Sequence, residues 1–310
     1  MALGSCLNRI VSAHHIMNKF SYLTKSILQR FSANICPSCN SSSSHVVDRK
    51  ICGLTVLLQC KNCFLRYRFP IDSKEYSFQF YQNNYIQKGL TTELPSQSQL
   101  DDLVKINFLG SEKDFSACFD VLDKLSSYMG KKLALLDYGA NWGYACYQFQ
   151  RLDFIDKVFG YELSIPRRQY GQKNLDIRYV DDPSHLAGSI DVLFSSHVIE
   201  HMSNPSEMKD IADTVLRPGG IVMILCPNGS DSARVTNKNW SKFWGQVHPN
   251  FISDLYLCKL FWDYDGIVVD ERVLHEQNQI DFDFPKGLAS KLPDGDSLLL
   301  LAKKPLKTDS

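Results

Sequence analysis

An α/β protein is the fold class this sequence predicts: a seven-stranded, mostly parallel sheet with an antiparallel edge hairpin, preceded by a small metal-dependent module. Three observations carry the prediction. From Lys131 onward, short apolar runs alternate with helical patterns, the signature of a parallel sheet covered by helices. Two Cys-x2-Cys pairs stand twenty residues apart near the N-terminus. The 310 residues are 44% hydrophobic and 22% charged, enough apolar material for one large and one small core and too much for a disordered chain. No apolar run approaches the roughly 18 residues of a membrane helix.

Residues 1–33 read as a basic leader, with Arg9, Lys19, Lys25 and Arg30 set among apolar residues and neither Asp nor Glu. A short amphipathic helix lying on a surface, in peripheral contact with a membrane, suits that pattern, and an organelle transit peptide is the alternative. The chain has no net charge, yet Met1 to Arg68 holds nine Lys and Arg against Asp48 alone, which makes this segment +8 and the remainder −8. The asymmetry points to phosphate, nucleic acid or a membrane surface, or else to a solvated basic face.

Residues 34–69 contain Cys36, Cys39, Cys60 and Cys63. Thiolates at this spacing supply four tetrahedral ligands from two knuckles, so the segment reads as a zinc ribbon. With every position filled by sulfur, its Zn2+ is structural. So short a module cannot bury enough core to fold without the metal. Cys6, Cys52, Cys118, Cys146, Cys226 and Cys258 are scattered singly and read as small core hydrophobes. Without a secretory signal, a reducing, cytoplasmic compartment is expected, which favours metal over disulfide.

Residues 70–130 form an aromatic linker and a helix. Tyr76 to Tyr85 reads Y-S-F-Q-F-Y-Q-N-N-Y and suits a lid over a ligand, with Tyr81 and Tyr85 as its contacts, or plain packing. A Ser/Gln-rich connection around Pro95 follows. Ser111 is expected to cap a helix, with Asp114 three residues on; Phe115, Cys118, Phe119, Leu122 and Leu125 recur at helical spacing until Gly130 ends it.

The large domain spans 131–305. Strands are expected at L-A-L-L-D-Y from 133, K-V-F-G-Y-E from 157, D-I-R-Y-V-D from 176, I-D-V-L-F-S-S from 190 and G-I-V-M-I-L-C from 220. A helix after Ser253 leads to G-I-V-V-D-E-R-V-L from 266 and S-L-L-L-L-A-K-K from 297, the edge hairpin. The first strand runs into D-Y-G-A-N-W-G-Y. The glycines of this turn let backbone approach a ligand, and the following helix opens with unpaired amide donors. The dinucleotide pattern fails, because Asn141 and Tyr144 stand where its second and third glycines belong. Asp137 would also repel a pyrophosphate and favour an ammonium group. Glu162, ending the second strand, is placed for ribose hydroxyls, and Asp181 and Asp182, ending the third, for an adenine amino group.

On these motifs, together with D-V-L-F-S-S-H-V-I-E-H-M and L-R-P-G-G-I-V-M-I, residues 131–304 resemble a class I S-adenosylmethionine-dependent methyltransferase with a Rossmann-like core. The resemblance implies that Asp137 and the turn of Gly139, Ala140, Asn141 and Gly143 lie beside the methionine part of S-adenosylmethionine. It implies that Glu162 holds the ribose, that Asp182 approaches adenine, and that Ser196 and His197 close the pocket. Asn141 replaces the usual middle glycine, and Pro183 removes a backbone donor that relatives offer to adenine. A Rossmann-like core that has lost its ligand is the bland alternative.

Methyl transfer from a sulfonium is an in-line displacement in which the enzyme positions the acceptor and, for a hydroxyl or carbon acid, removes a proton. His201 and His248 are the candidate bases; Glu200 reads as a helix-start carboxylate. S-S-H-V stands where the family motif N-P-P-Y would be, which argues against methylation of an adenine or glutamine nitrogen. Trp240, Phe243 and Trp244 suit stacking on a sugar or shielding the pocket. The order ribbon, aromatic linker, core resembles enzymes of sugar and surface-polysaccharide biosynthesis. It implies a small-molecule or glycan acceptor, whose phosphate the basic segment would face. An RNA methyltransferase gripping the phosphate backbone through its ribbon is one alternative, opposed by the net negative catalytic half. A catalytically inactive binding module is the other.

Overall fold

The computed structural model describes residues 24, 26, 27, 33–72, 94–276, 280 and 282–306. Of the surface helix expected for the leader only Thr24, Ser26 and Ile27 are described, all helical, and the lid expected at Tyr81 and Tyr85 falls outside these residues. Among the described residues no helix is long and apolar enough to cross a membrane.

Residues 33–72 contain three antiparallel strands, β1 (Ser44–Lys50), β2 (Thr55–Cys60) and β3 (Arg66–Phe69). Two helices follow, α1 (Gln97–Lys105) and α2 (Phe119–Met129). The alternating region then runs β4 (Leu133–Tyr138), α3 (Tyr144–Phe149), β5 (Ile155–Tyr161), α4 (Ile165–Leu175), β6 (Ile190–Ser196), α5 (Glu207–Val215) and β7 (Leu216–Pro227). It closes with α6 (Asp231–Thr236), β8 (Asn250–Phe251), α7 (Asp254–Leu260), β9 (Asp265–Asp270), β10 (Leu288–Ser290) and β11 (Ser297–Lys303).

Seven strands form the main sheet in the order β10-β9-β11-β7-β6-β4-β5. The block β5-β4-β6-β7 is parallel, and β11 runs antiparallel to both β7 and β9. The side-chain period of two divides each central strand between two apolar layers. Leu136, Leu193, Val222 and Ile224 enter one layer; Leu135, Val192, Phe194, Ile221 and Met223 enter the other. Both faces are therefore covered, which is why β6 is buried up to Ser195 and sends Ile190 and Leu193 into one layer and Val192 and Phe194 into the other.

The fold class agrees with expectation, and its details differ in four places. The segment from Asp176 contributes only an isolated bridge, Tyr179 to Gly160, because Asp176 stands in the left-handed region and Asp181 turns outward to Arg168. The seventh strand is instead β10, parallel to β9, so the antiparallel β9-β11 pair does not itself form the edge. Helix α2 begins at Phe119 after a 3-10 turn, and the capping carboxylate is Asp114, which accepts the Ser116 and Gly110 amides at 2.9 and 2.7 Å. Gly130 ends it as expected, at φ 64°. The Ser/Gln-rich connection holds a helix of its own, α1, whose Ser96 and Gln99 form a reciprocal capping box and whose Leu100 is buried.

The cysteine-paired segment is not a free-standing module. Its sheet gains a fourth strand, β8, from the large domain. Leu58, Leu65 and Tyr67 join the same apolar layer as Leu136 and Leu193. Arg66, 2% exposed, donates to the Gly229 carbonyl and pairs with Asp231 at 2.6 Å. Arg68, equally buried, pairs with Asp72 at 2.5 Å. The excess positive charge of this segment is thus partly internal: two of its arginines brace the fold, and Lys50 donates to the Trp244 carbonyl. Trp240 and Trp244 are buried with Leu57 and Phe251, and the Trp244 indole donates to Asp48 at 2.9 Å. The two tryptophans thus pack where the cysteine-paired segment meets the large domain.

Candidate active site

Strand β4 delivers Asp137 to the carboxyl end of the sheet, where the chain turns through Gly139 and Gly143, both at positive φ, into α3. A Cβ on Gly139 would lie 2.3 Å from a Val198 methyl carbon, so only glycine admits this close approach. Asn141 stands at φ 53°, the left-handed conformation that asparagine tolerates best after glycine. Its side chain accepts the Trp142 amide at 2.9 Å, and its carbonyl accepts the Tyr179 hydroxyl at 2.8 Å. The missing middle glycine is therefore replaced by a residue that keeps the turn.

Glu162 follows β5 and accepts two amides, Asn141 at 3.0 Å and Ser164 at 2.7 Å. It ties the glycine turn to the second strand, a bond that sequence spacing does not reveal. Asp137 is 3% exposed, and the Cys146 thiol donates to it at 3.3 Å. Burial pushes its carboxyl up to about 7; the thiol hydrogen bond acts against the shift and the Glu162 charge adds to it. A buried carboxylate in this state favours a cationic partner. Cys146 is thus more than a core filler, while Cys118 and Cys226 are buried as expected and Cys52 is exposed.

Asp182 is exposed and caps the 3-10 turn Pro183–Leu186 by accepting the Ser184 amide at 2.8 Å. These hydrogen bonds from Ser184 hold its carboxyl below the usual range. Pro183 occupies the turn's start, where a missing N–H is no loss. The charge of Asp182 reaches Tyr161, next to Glu162. Ser196 ends β6, and His197 follows at φ 55° with its side chain half exposed.

Beyond His197 a 3-10 turn, Ile199–His201, points Glu200 inward. Glu200 stands at the start of a helical turn, as expected, and is wholly buried there. His197 Nδ1 lies 3.2 Å from its Oε1, and His201 Nε2 lies 3.9 Å away. Burial pushes the Glu200 carboxyl up, but the His197 hydrogen bond and the charges of the three neighbouring histidines outweigh it and hold it at about 2. Burial pushes His201 down to about 4, only partly offset by Glu200. Burial also lowers His197, yet the bond to Glu200 wins and leaves it raised. The expected pair His201 and His248 meets here, ring centroids 4.8 Å apart.

The four paired cysteines converge, all Sγ atoms lying within 4.8 Å of one another. Cys36 and Cys63, like Cys39 and Cys60, stand 3.5 Å apart, far beyond a disulfide bond and close to the sulfur spacing of about 3.8 Å around a tetrahedral zinc ion. The donor set suits zinc.

Residues 111–269, half of the chain, match the family model described as a methyltransferase domain. The chain belongs to this methyltransferase family. Its activity is S-adenosylmethionine-dependent methyl transfer. Similar solved structures include geranyl diphosphate C-methyltransferase from Streptomyces coelicolor (12% identity, TM-score 0.45, covering 74% of this chain and 97% of that one). They also include a SAM-dependent methyltransferase from Aquifex aeolicus (13%, 0.43, 66% and 97%) and one from Mesorhizobium loti (15%, 0.41, 62% and 100%). No curated protein matches the sequence. In this methyltransferase the expected cofactor residues fall into one connected group, Asp137, the turn from Gly139 to Gly143, and Glu162. Asp182 stands apart as a cap, and His197 belongs with the Glu200 group.

Proposed function

We propose that this protein methylates a small-molecule or glycan acceptor, held between the glycine turn and the Glu200 histidine group. One observation carries the reading: Val198, between His197 and Glu200, packs directly on Gly139, so the turn that would receive the methionine part of the cofactor and the polar group that would receive the acceptor are neighbours. Asp137 would face the cofactor's ammonium, and Glu162, already oriented by two amides, would present its remaining lone pairs to the ribose hydroxyls. The cofactor supplies the electrophilic methyl group. The chain supplies orientation and a path for the acceptor's proton. Burial holds His201 at about 4, far below the acidity of a hydroxyl, so the group around Glu200 would orient the acceptor while its proton leaves to water. The four cysteines would hold a structural zinc ion that fixes the ribbon.

The finer reading, a sugar, nucleotide-sugar or polysaccharide precursor, rests on the order of ribbon, linker and core. Burial of Arg66 and Arg68 against the catalytic domain removes two of the cations that a ribbon gripping an RNA backbone would use. Incubating nucleotide-sugars, glycans and RNA with isotopically labelled S-adenosylmethionine, followed by mass spectrometry, tests the assignment. Label in a sugar supports it; label in RNA alone overturns it.

A further inference from the structure

We propose that Glu200, His201 and His248 form a binding site for a divalent transition-metal ion, separate from the cysteine cluster. One carboxylate oxygen and two imidazole nitrogens lie here within 4.8 Å of one another. Both rings are oriented for ligation. His201 Nδ1 sits 2.9 Å from the Val247 carbonyl and His248 Nδ1 sits 2.8 Å from the Phe243 carbonyl. A carbonyl only accepts, so Nδ1 carries the proton in each ring and Nε2 is the nitrogen with the ligating lone pair. Backbone carbonyls behind liganding histidines are the usual means of setting their tautomer.

The carboxylate gives the second, independent observation. Glu200 Oε1 is engaged by His197, whereas Oε2 is fully buried and has no hydrogen-bond partner among the described residues. His201 Nε2 approaches Oε1 at 3.9 Å, so an ion between them would meet that oxygen, and its charge would offset the cost of burying the carboxylate with Oε2 unpaired. Both carrier segments are braced. The Asn250 amide donates to the Met202 carbonyl at 2.7 Å, joining the turn that carries Glu200 to the loop that carries His248. Strand β8, two residues beyond His248, pairs with β3 of the ribbon, and the Arg68 amide donates to the Pro249 carbonyl at 2.7 Å. The ribbon therefore positions one of the three ligands, which gives the structural module a task in the catalytic domain.

Two nitrogens and one carboxylate suit Zn2+, Co2+ or Mn2+, whereas Mg2+ and Ca2+ prefer oxygen donors throughout. Three protein ligands leave coordination positions open, as at catalytic metal sites. Resting on the acceptor site proposed above, an ion here would bind the acceptor hydroxyl and lower its pKa. The hydroxyl proton passes to water, the oxygen forms its bond to the methyl carbon, and the carbon–sulfur electron pair returns to sulfur as the neutral thioether leaves.

The test uses the full-length protein with zinc in its cysteine site, titrated with Co2+ and followed by visible absorption and metal analysis. The expected result is a second equivalent of metal with weak d–d bands and no thiolate charge-transfer band, lost in both Glu200→Gln and His248→Ala. Chain integrity is checked by urea unfolding, and His248, in a partly buried loop, covers the case in which Glu200→Gln fails to fold. No second equivalent in the wild type, or a second equivalent that survives in a folded variant, overturns the proposal. Binding of S-adenosylhomocysteine, measured in the same samples, reports separately on the cofactor reading.

Discussion

Replacing Asp137 with asparagine should make the free protein more stable at alkaline pH while impairing its ligand binding. Burial raises this carboxyl from 3.8 to about 7. The folded state therefore holds a proton that the unfolded chain releases, and stability falls as pH rises through that window. The sign follows from the raised value: the cost is absent below pH 3.8, where both states are protonated, and complete above about pH 7. About three pKa units correspond to about 4 kcal/mol. The side-chain amide of the Asp137→Asn variant would keep an acceptor for the Cys146 thiol, never ionise, and avoid that cost. Burying the amide adds a penalty of its own, independent of pH, so the diagnostic quantity is the slope. Urea unfolding of wild type and variant at pH 4, 6 and 8 should show a stability difference moving in the variant's favour by up to about 4 kcal/mol. A difference that does not change with pH would refute the reasoning. Below pH 7, binding of a cationic ligand to the wild type should release a proton, seen as a buffer-dependent heat in calorimetry, and the variant should lose that release.

Three further outcomes follow from the same geometry. Glu162→Ala should cost about 1–3 kcal/mol of S-adenosylhomocysteine affinity through unpaired hydroxyls, read by calorimetry; an unchanged affinity counts against the ribose assignment. Gly139→Ala places a carbon 2.3 Å from Val198 at a positive φ, so it should lower the melting temperature and abolish binding; a variant that melts and binds like wild type would show that the turn is looser than described. Chelation, or Cys36→Ser, should destabilise the whole chain in one transition, because Leu58, Leu65 and Tyr67 share an apolar layer with the main sheet. A ribbon that melts alone, leaving the large domain's transition unmoved, would show that the shared layer contributes nothing.

The central strands and the acids at their ends were legible because burial on both faces demands apolar runs and the crevice at the sheet's carboxyl end demands polar residues. Asn141 was legible only as a departure; that it preserves the turn depends on a backbone angle, which composition does not record. Glu200 was legible as a helix-start carboxylate, but its burial was not, because only the turn's direction decides whether such a side chain faces solvent or the core. The docking of the ribbon was hidden for a different reason. It rests on the two-residue strand Asn250–Phe251 and on buried Arg66, pairings too short and too distant in sequence to leave a periodic trace. The segment from Asp176 looked like a strand and lost its place to Leu288–Ser290, since alternation alone does not say which edge of a sheet is extended.

The proposed activity requires a sulfonium nucleoside bound where β4 and β5 end. Calorimetric titration of the zinc-loaded protein with S-adenosylhomocysteine tests this most directly. Saturable binding at one site per chain, weakened by both Asp137→Asn and Glu162→Ala, is the predicted result; absence of heat at high micromolar ligand, or binding indifferent to both substitutions, would contradict it.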